Sequence, residues 1–560
     1  MMNSRTAPRP RSHETRRGII LLFVGLVLAM LLAALSQTVL SAAMPTMVGE
    51  LGGVDQMLWV MTAYILASTI AMPIYGKTSD LIGRKSPLII AILLFVTGSV
   101  VGALAPDMGV LIAGRVVQGL GGGGLIILSQ AIIADVIPAR ERGKYMGIIG
   151  AVFAVSSVAG PLLGGWLTEQ VDWRWTFWIN VPLGALALVA AITLLHLPKG
   201  SGARPRIDVL GMVTLAPATA CLILVASWGG NDFAWSSPVI LSLIAATVVL
   251  SVLFVLAERR AAEPIIPPAL FRDRNFNLAT SAGLLVGVTM FGAIGYLPTY
   301  LQMTFGADAT AAGILMVPMM GMMLVTSLGS GWLVSKYGRY KWMPIAGAVL
   351  ITVGLVLLGL MTPETPLWRF CIDVGLLGAG LGVNMQILVL IVQNSFPGRI
   401  VGTATAANNF FRQIGASLGS AVIGSLFTVR LVSVIGDSLT EDGVAQVGEI
   451  SSLTPHSVLD LPEHLHAIVV HGYNDALAPL FLWMAPLGLI AVVLLSFVKE
   501  IPLKTTVERD IVPEAISEGQ LIIEHADEPE RAESEPERTE PERTAPERTG
   551  SGSEPERTER

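Results

Sequence analysis

Fourteen apolar stretches dominate this chain, over residues 18–44, 58–76, 87–105, 109–135, 143–168, 175–197, 208–228, 237–257, 276–304, 311–334, 342–361, 367–394, 402–427 and 475–498. A stretch of about 20 apolar residues spans the hydrocarbon core of a bilayer. The backbone must satisfy its own hydrogen bonds there, so each stretch is expected to be a helix. Charged residues make up only 14% of the chain, against about 25% in soluble domains. An all-α, polytopic membrane protein with about 14 transmembrane helices is predicted, and a soluble enzyme with a single anchor is excluded. No small-x-small cleavage site follows a short apolar core near the start, so the first stretch is expected to stay as the first span.

The loops alternate in charge. One set holds Lys77/Arg84/Lys85, Arg140/Arg142/Lys144, Lys199/Arg204/Arg206, Arg259/Arg260/Arg272/Arg274, Lys336/Arg339/Lys341 and Arg399. The other holds Glu50/Asp55, Asp107, Glu169/Asp172, Asp232, Asp308 and Glu364. Lys and Arg collect on the cytoplasmic side of membrane proteins. The alternation predicts cytoplasmic termini and an even number of helices. Residues 1–17, with Arg5, Arg9, Arg11, Arg16 and Arg17, are expected to form a disordered cytoplasmic arm. Residues 505–560 end in near-repeats of Glu-Pro-Glu-Arg-Thr, a composition that buries no core and predicts a disordered cytoplasmic tail. Much of the acid behind the net charge of -6 lies in that tail. No nucleic-acid partner is expected. Cys221 and Cys371 both fall inside apolar stretches, which argues against a disulfide framework or a zinc or iron–sulfur site.

The first six and last six stretches are related. Gly76-x6-Gly83-Arg84 recurs as Gly331-x6-Gly338-Arg339, Gly119 and Gln130 as Gly375 and Gln386, and Gly143 and Gly160 as Gly402 and Gly419. Two six-helix halves, 18–197 and 276–498, are therefore expected, with two helices inserted at 208–257. Related halves around one path are the plan of a rocking transporter. The second half contains a long external loop, 428–474, with His456, His464, His466 and His471. Their spacing repeats no ligand motif, so an amphipathic surface segment is favoured over a metal site. No cofactor is expected.

The turn between the second and third stretches reads Gly76-Lys77-Thr78-Ser79-Asp80-Leu81-Ile82-Gly83-Arg84-Lys85. Its bland reading is a topology anchor. Asp80 also sits beside the start of the next helix, where the dipole favours a carboxylate. The pattern G-x-x-x-D-x-x-G-R-K resembles the loop between helices 2 and 3 of the major facilitator superfamily. The Arg115 motif, Gly160-Pro161-x-x-Gly164-Gly165, Trp173-Arg174-Trp175-x-Phe177-x-Ile179-Asn180-x-Pro182, Tyr296-Leu297-Pro298-x-Tyr300-Leu301-Gln302 and Phe411-Arg412-Gln413 follow in order. Together they resemble the fourteen-helix drug:proton antiporter branch of that superfamily. The resemblance implies the major facilitator fold and proton-driven export of amphipathic, often cationic, drugs across the bacterial plasma membrane. It also implies that the Gly160–Gly165 motif marks an antiporter, although Ser156 stands where the family pattern has glycine. In that branch helix 1 commonly reads Leu-Asp-x-Thr. Here it reads Leu35-Ser36-Gln37-Thr38, so the carboxylate that often takes part in coupling is absent at Ser36.

Ionisable side chains within spans are costly and mark function. Arg115, followed by Gln118, is a candidate for the cavity or for coupling, with snorkelling to the interface as the alternative. Arg412 lies deep in helix 13 beside Asn409 and Gln413 and is a candidate to meet Asp373, to compensate an anion or to hold a protonation-sensitive network. Asp373 follows Arg369 by one helical turn, so an ion pair near the outer face competes with a role in coupling. Asn384, Gln386, Asn408 and Gln302 are candidates for a polar lining or for hydrogen bonds between helices. Gly76, Asp80, Gly83, Arg84, Lys85, Asp135 and Arg142 are expected to form a cytoplasmic gate. Gly160, Pro161, Gly164 and Gly165 serve close packing or a hinge. The methionines from Met316 to Met323 suit a surface that fits many shapes, with lipid-facing filler as the favoured reading. Trp59, Tyr64, Tyr296 and Tyr300 are candidate contacts for a cationic drug, with interfacial anchoring as the alternative for Trp59 and Tyr300.

The expected function is secondary active export of small amphipathic compounds, with protons as the coupling partner. The alternatives are an exporter of one specific antibiotic, siderophore or lipid, or a non-transporting sensor on the same fold. A membrane enzyme is least favoured, because no nucleophile–base arrangement or metal motif lies within a span.

Overall fold

The computed structural model describes residues 13–53, 56–195, 208–230, 232–438, 458 and 461–505, with the backbone alone at 13–19 and 309. Most of the expected arm, His456 and all but the first residue of the expected tail lie outside these residues. Fourteen helices among them are long and apolar enough to cross a bilayer. They are α1 His13–Leu51, α2 Met57–Ile82, α3 Lys85–Ala103, α4 Met108–Val136, α5 Ala139–Gln170, α6 Trp175–Leu194 and α7 Val209–Trp228, then α8 Pro238–Arg260, α9 Arg274–Thr304, α10 Thr310–Tyr337, α11 Trp342–Gly359, α12 Leu367–Ser395, α13 Gly398–Ser438 and α14 Glu463–Ser496.

Local chemistry sets many of the helix ends. Asp107, Asp208, Ser237, Asp273 and Asp308 cap α4, α7, α8, α9 and α10 by accepting a hydrogen bond from a first-turn N–H. The α9 helix breaks at Gly295–Tyr296 and restarts at Leu297 with Pro298, and α10 breaks at Met316 and restarts at Val317 with Pro318. A proline has no N–H to donate to the previous turn, so it begins a new segment more readily than it continues one.

Three boundaries differ from expectation. The α1 helix begins at His13, within the segment expected to be an arm. The long loop is shorter than expected, because α13 runs on to Ser438 and α14 begins at Glu463. His464, His466 and His471 consequently lie on α14. The cause is packing beyond the apolar stretches, with Ile435 buried against Gly472.

The two halves repeat the same neighbours. In the first, α4 packs on α2 and α3, and α1 on α5 and α6. In the second, α12 packs on α10 and α11, and α9 on α13 and α14. Two seams join the halves, α2 against α13 and α5 against α10. The inserted α7 lies on the first seam, touching α2 and α13. Its partner α8 exposes Leu241, Val248, Val249, Val252 and Leu253, as a helix bathed in lipid would. A cavity of about 480 Å³, lined by apolar residues such as Phe254, Phe410 and Phe411, opens between these helices and α13.

Residues 499–504 form a strap after α14. Lys499 exchanges two hydrogen bonds with Asn275 of α9, at 2.8 and 2.9 Å. Tyr340 N donates to Glu500 Oε1, Ile501 N donates to the Tyr340 hydroxyl, and Asn394 of α12 donates to Ile501 O. The strap then reaches the other half, where Arg140 N donates to Lys504 O at 3.1 Å.

Candidate functional site

The first seam closes through the charged turn. Asp80 pairs with Arg84, and Arg84 Nε also donates to Asp135 Oδ2 at 2.8 Å. Asp80 crosses to the other half and accepts hydrogen bonds from Gly402 N at 3.1 Å and from Thr403 N and Oγ1 at 2.6 Å each. These groups lie near the start of α13, where the helix dipole favours a carboxylate. Burial works against the charge on Arg84, but Asp80 and Asp135 outweigh it, so its pKa is held above the ordinary arginine range. Gly76 lets the helices cross: a Cβ there would fall 2.3 Å from the Ala406 Cβ. Gly83 has φ 92°, a conformation that side chains disfavour.

The second seam is built the same way from weaker groups. A Cβ on Gly331 would lie 2.2 Å from Gly143 O. Lys144 N donates to Ser335 Oγ at 3.1 Å, Arg140 Nη2 to Lys336 O at 3.2 Å and Ser327 Oγ to Gly147 O at 3.0 Å. Ser335 occupies the place of Asp80, so this seam has no ion pair of that kind. Above the first seam, Gln130 accepts from Asn409 Nδ2 at 2.9 Å and from Gln393 Nε2 at 3.2 Å. Among the described residues, the hydrogen bonds joining the halves all lie toward the basic loops.

Two expected gate residues work elsewhere. Lys85 Nζ donates to Ile192 O at 2.7 Å and braces α3 against α6. Arg142 donates to Ile137 O at 2.8 Å and to Ala134 O, holding the α4–α5 turn. Sequence reasoning missed Thr403, the bonds that Gln130 and Ser335 make across the halves, and the Lys77–Glu263 pair at 2.6 Å. The repeat marks Gln130 and Ser335 as the counterparts of Gln386 and Asp80, but not the contacts they make.

Arg115 is fully buried within the first half and lines no open cavity. Its Nε donates to Val60 O at 3.1 Å, and its Nη1 to Ser36 Oγ at 3.1 Å and Gln118 Oε1 at 2.5 Å. Gln118 in turn donates to Ser99. The Tyr64 ring centroid lies 4.2 Å from the guanidinium carbon. Tyr64 is buried with Arg115, so it is not a contact for a drug in this conformation. Among the described residues no carboxylate pairs with Arg115, and its Nη2 has no partner there. Gln37, next to Ser36, is half-buried.

Arg412 and Asp373 do not meet. Arg412 donates to Met385 O at 3.2 Å and to Asn409 Oδ1 at 2.7 Å. Asp373 is buried on α12 with Arg369 Nε at 3.8 Å, and its Oδ2 accepts no hydrogen bond. Twelve helical residues separate Asp373 from Met385, about 18 Å of axis. Gln413 is half-buried beside Arg412. Asn408 donates to Thr280 of α9, a bond between helices, while Asn384 donates to Gly380 one turn back on its own helix. Tyr300 is buried and donates to Asn474 at 2.8 Å, as neither a drug contact nor an interfacial anchor.

The methionines of α10 divide. Met319 and Met323 are buried, whereas Met322 is exposed. Met323 joins Ala154 and Met385 in a cluster flanked by Phe153, Met290, Met320 and Leu324, which draws on both halves. The α5 motif divides too. Gly160 packs on Thr38 and Gly164 on Val39, while Pro161 is exposed and Gly165 faces open space. Thr38 Oγ1 donates to Ser156 O at 2.8 Å, one residue before the carbonyl that Pro161 leaves without an N–H. Among the described residues no His, Cys, Asp or Glu group stands ready to hold a metal ion.

Two related six-helix halves, latched to each other on one face around buried charges, define a multi-pass membrane transporter. The chain matches the family model of the Major Facilitator Superfamily over residues 26–420, and it belongs to that family. It is 40% identical over 498 residues to an uncharacterized MFS-type transporter of Mycobacterium tuberculosis, covering 88% of this chain and 71% of the relative. It is 36% identical to the multidrug transporter protein MdtP of Bacillus subtilis, covering 75% and 77% of the two chains. It is 32% identical to multidrug resistance protein 3 of the same organism, covering 87% and 96%. The solved proton:xylose symporter XylE shares the fold, with a TM-score of 0.53 at 16% identity over 87% of this chain and 97% of that one. The protein is thus a transporter and not an enzyme.

Proposed function

We propose that the protein exports amphipathic compounds across the bacterial plasma membrane in exchange for protons, by rocking its two halves. In this reading the basic loops and both termini face the cytoplasm, and the conformation described is closed on that side. The observation that carries the reading is the confinement of the inter-half hydrogen bonds to the basic face. A ring of breakable polar contacts at one end of two related halves is what alternating access requires. The names of the two Bacillus relatives support a drug-like substrate. Asp373 is the proposed proton carrier. It is a buried carboxylate on the side away from the latch, and its one charged neighbour is a long 3.8 Å contact. Proteoliposomes loaded with an amphipathic dye test the proposal. Dye flux is expected to rise several-fold when a pH gradient is imposed and to fall back when a protonophore collapses it. Flux that ignores the gradient would remove proton exchange from the proposal.

A further inference from the structure

We propose that the charged group of the substrate is an anion, and that Arg412 receives it where the two halves meet. The inference rests on the exporter reading above and specifies its substrate: an amphipathic organic anion, with one carboxylate or sulfonate on an apolar body.

Position comes first. Arg412 lies fourteen residues into α13, about 21 Å along the helix axis, near the middle of a hydrocarbon core about 30 Å thick. It sits directly on the closed seam. Its partner Asn409 donates across to Gln130 of the other half. Its own backbone is fixed, because a Cβ on Gly287 of α9 would lie 2.4 Å from Arg412 O. The cation is therefore held in place where the two halves part.

Its partners are all neutral. A carbonyl and an amide oxygen accept from Nη1 and Nη2, and no carboxylate among the described residues lies within ion-pair distance. A guanidinium carries five N–H donors. Arg412 is half-buried, and among the described residues its Nε donates to no protein acceptor. Two hydrogen bonds therefore leave donors of the guanidinium to spare. Asp373 sits about 18 Å away along α12 and faces Arg369. Arg412 thus places an unpaired positive charge near the middle of the spans, which repels a cation and draws an anion.

The apolar body has its own surface. Arg412 bonds to the backbone of Met385, and Met385 belongs to the cluster with Met323, Met290, Met320 and Phe153. Thioether side chains adapt to bodies of different shape. One fixed donor set beside a deformable apolar wall selects charge sign and tolerates variation elsewhere.

The test uses two probes with one body: 1-pyrenesulfonate, and the trimethylammonium cation built on a pyrenylmethyl group. Both charges are independent of pH. Binding to the purified full-length protein and flux in proteoliposomes are measured side by side. The sulfonate is expected to bind, and to move, at least tenfold better than the ammonium probe. Arg412→Gln is expected to lower sulfonate binding at least tenfold at an unchanged melting temperature, and Arg412→Lys to retain part of it. Equal or better handling of the ammonium probe, or undiminished sulfonate binding by Arg412→Gln, would overturn the proposal, as would no sulfonate binding at all. If Arg412→Gln does not fold, the charge preference of the unaltered protein decides. Arg412-dependent sulfonate binding without flux of either probe would keep the anion site and sink the exporter reading.

Discussion

Single side chains decide what the two faces of this molecule do. Asp80 holds three hydrogen-bond donors of the opposite half while paired to Arg84, and both side chains are nearly inaccessible. Removing one partner of a buried ion pair costs about 3–5 kcal/mol. Asp80→Asn is therefore expected to loosen the closed basic face. A cysteine at buried Ser330, with Cys221 and Cys371 replaced, should react with a membrane-impermeant maleimide at least tenfold faster in that variant. Asp373 gives the complementary prediction. Asp373→Asn keeps the size and loses the exchangeable proton, so dye flux is expected to persist while its response to a pH gradient disappears. The two acids were equally visible as residues in the sequence. Asp80 arrived with its neighbours, since Arg84 is one turn away and Gly76 and Gly83 frame the turn. The acceptance of Thr403 was not visible, because it joins positions more than 300 residues apart. Arg115 shows the opposite error. A charge six residues into a span suggests a wet cavity, yet Tyr64 and Ser36 wrap it inside the first half.

At the scale of helices, length and apolarity are local properties, and for that reason the fourteen spans were legible. Their ends were less so where tertiary packing extends them: Ile435 and Gly472 keep α13 and α14 helical past the apolar stretches. The repeat identified which helices correspond but not how closely they cross. Gly143 and Gly331 supply that detail, because backbone atoms of α5 and α10 occupy the space of a side chain. Gly331→Val is expected to force α5 and α10 apart and lower transport at least tenfold while leaving each half folded. Faster maleimide labelling of a cysteine at Ser79, on the other seam, would show that both seams open together. Unchanged labelling there would mean that the second seam moves alone.

For the whole molecule, transport by rocking requires both seams to part in every cycle. Cysteines introduced as Lys144→Cys and Ser335→Cys, in a chain with Cys221 and Cys371 replaced, should join the halves when oxidised. Flux is expected to stop on oxidation and return on reduction, and continued flux through the joined protein would rule out rocking at this seam. The strap after α14 adds a different consequence. It is sewn to α9, α12 and the α10–α11 turn, yet its last described contact is with Arg140 of the first half. The strap thus ends where the halves touch, so a fluorophore at Lys504 reports each opening without being attached to any span.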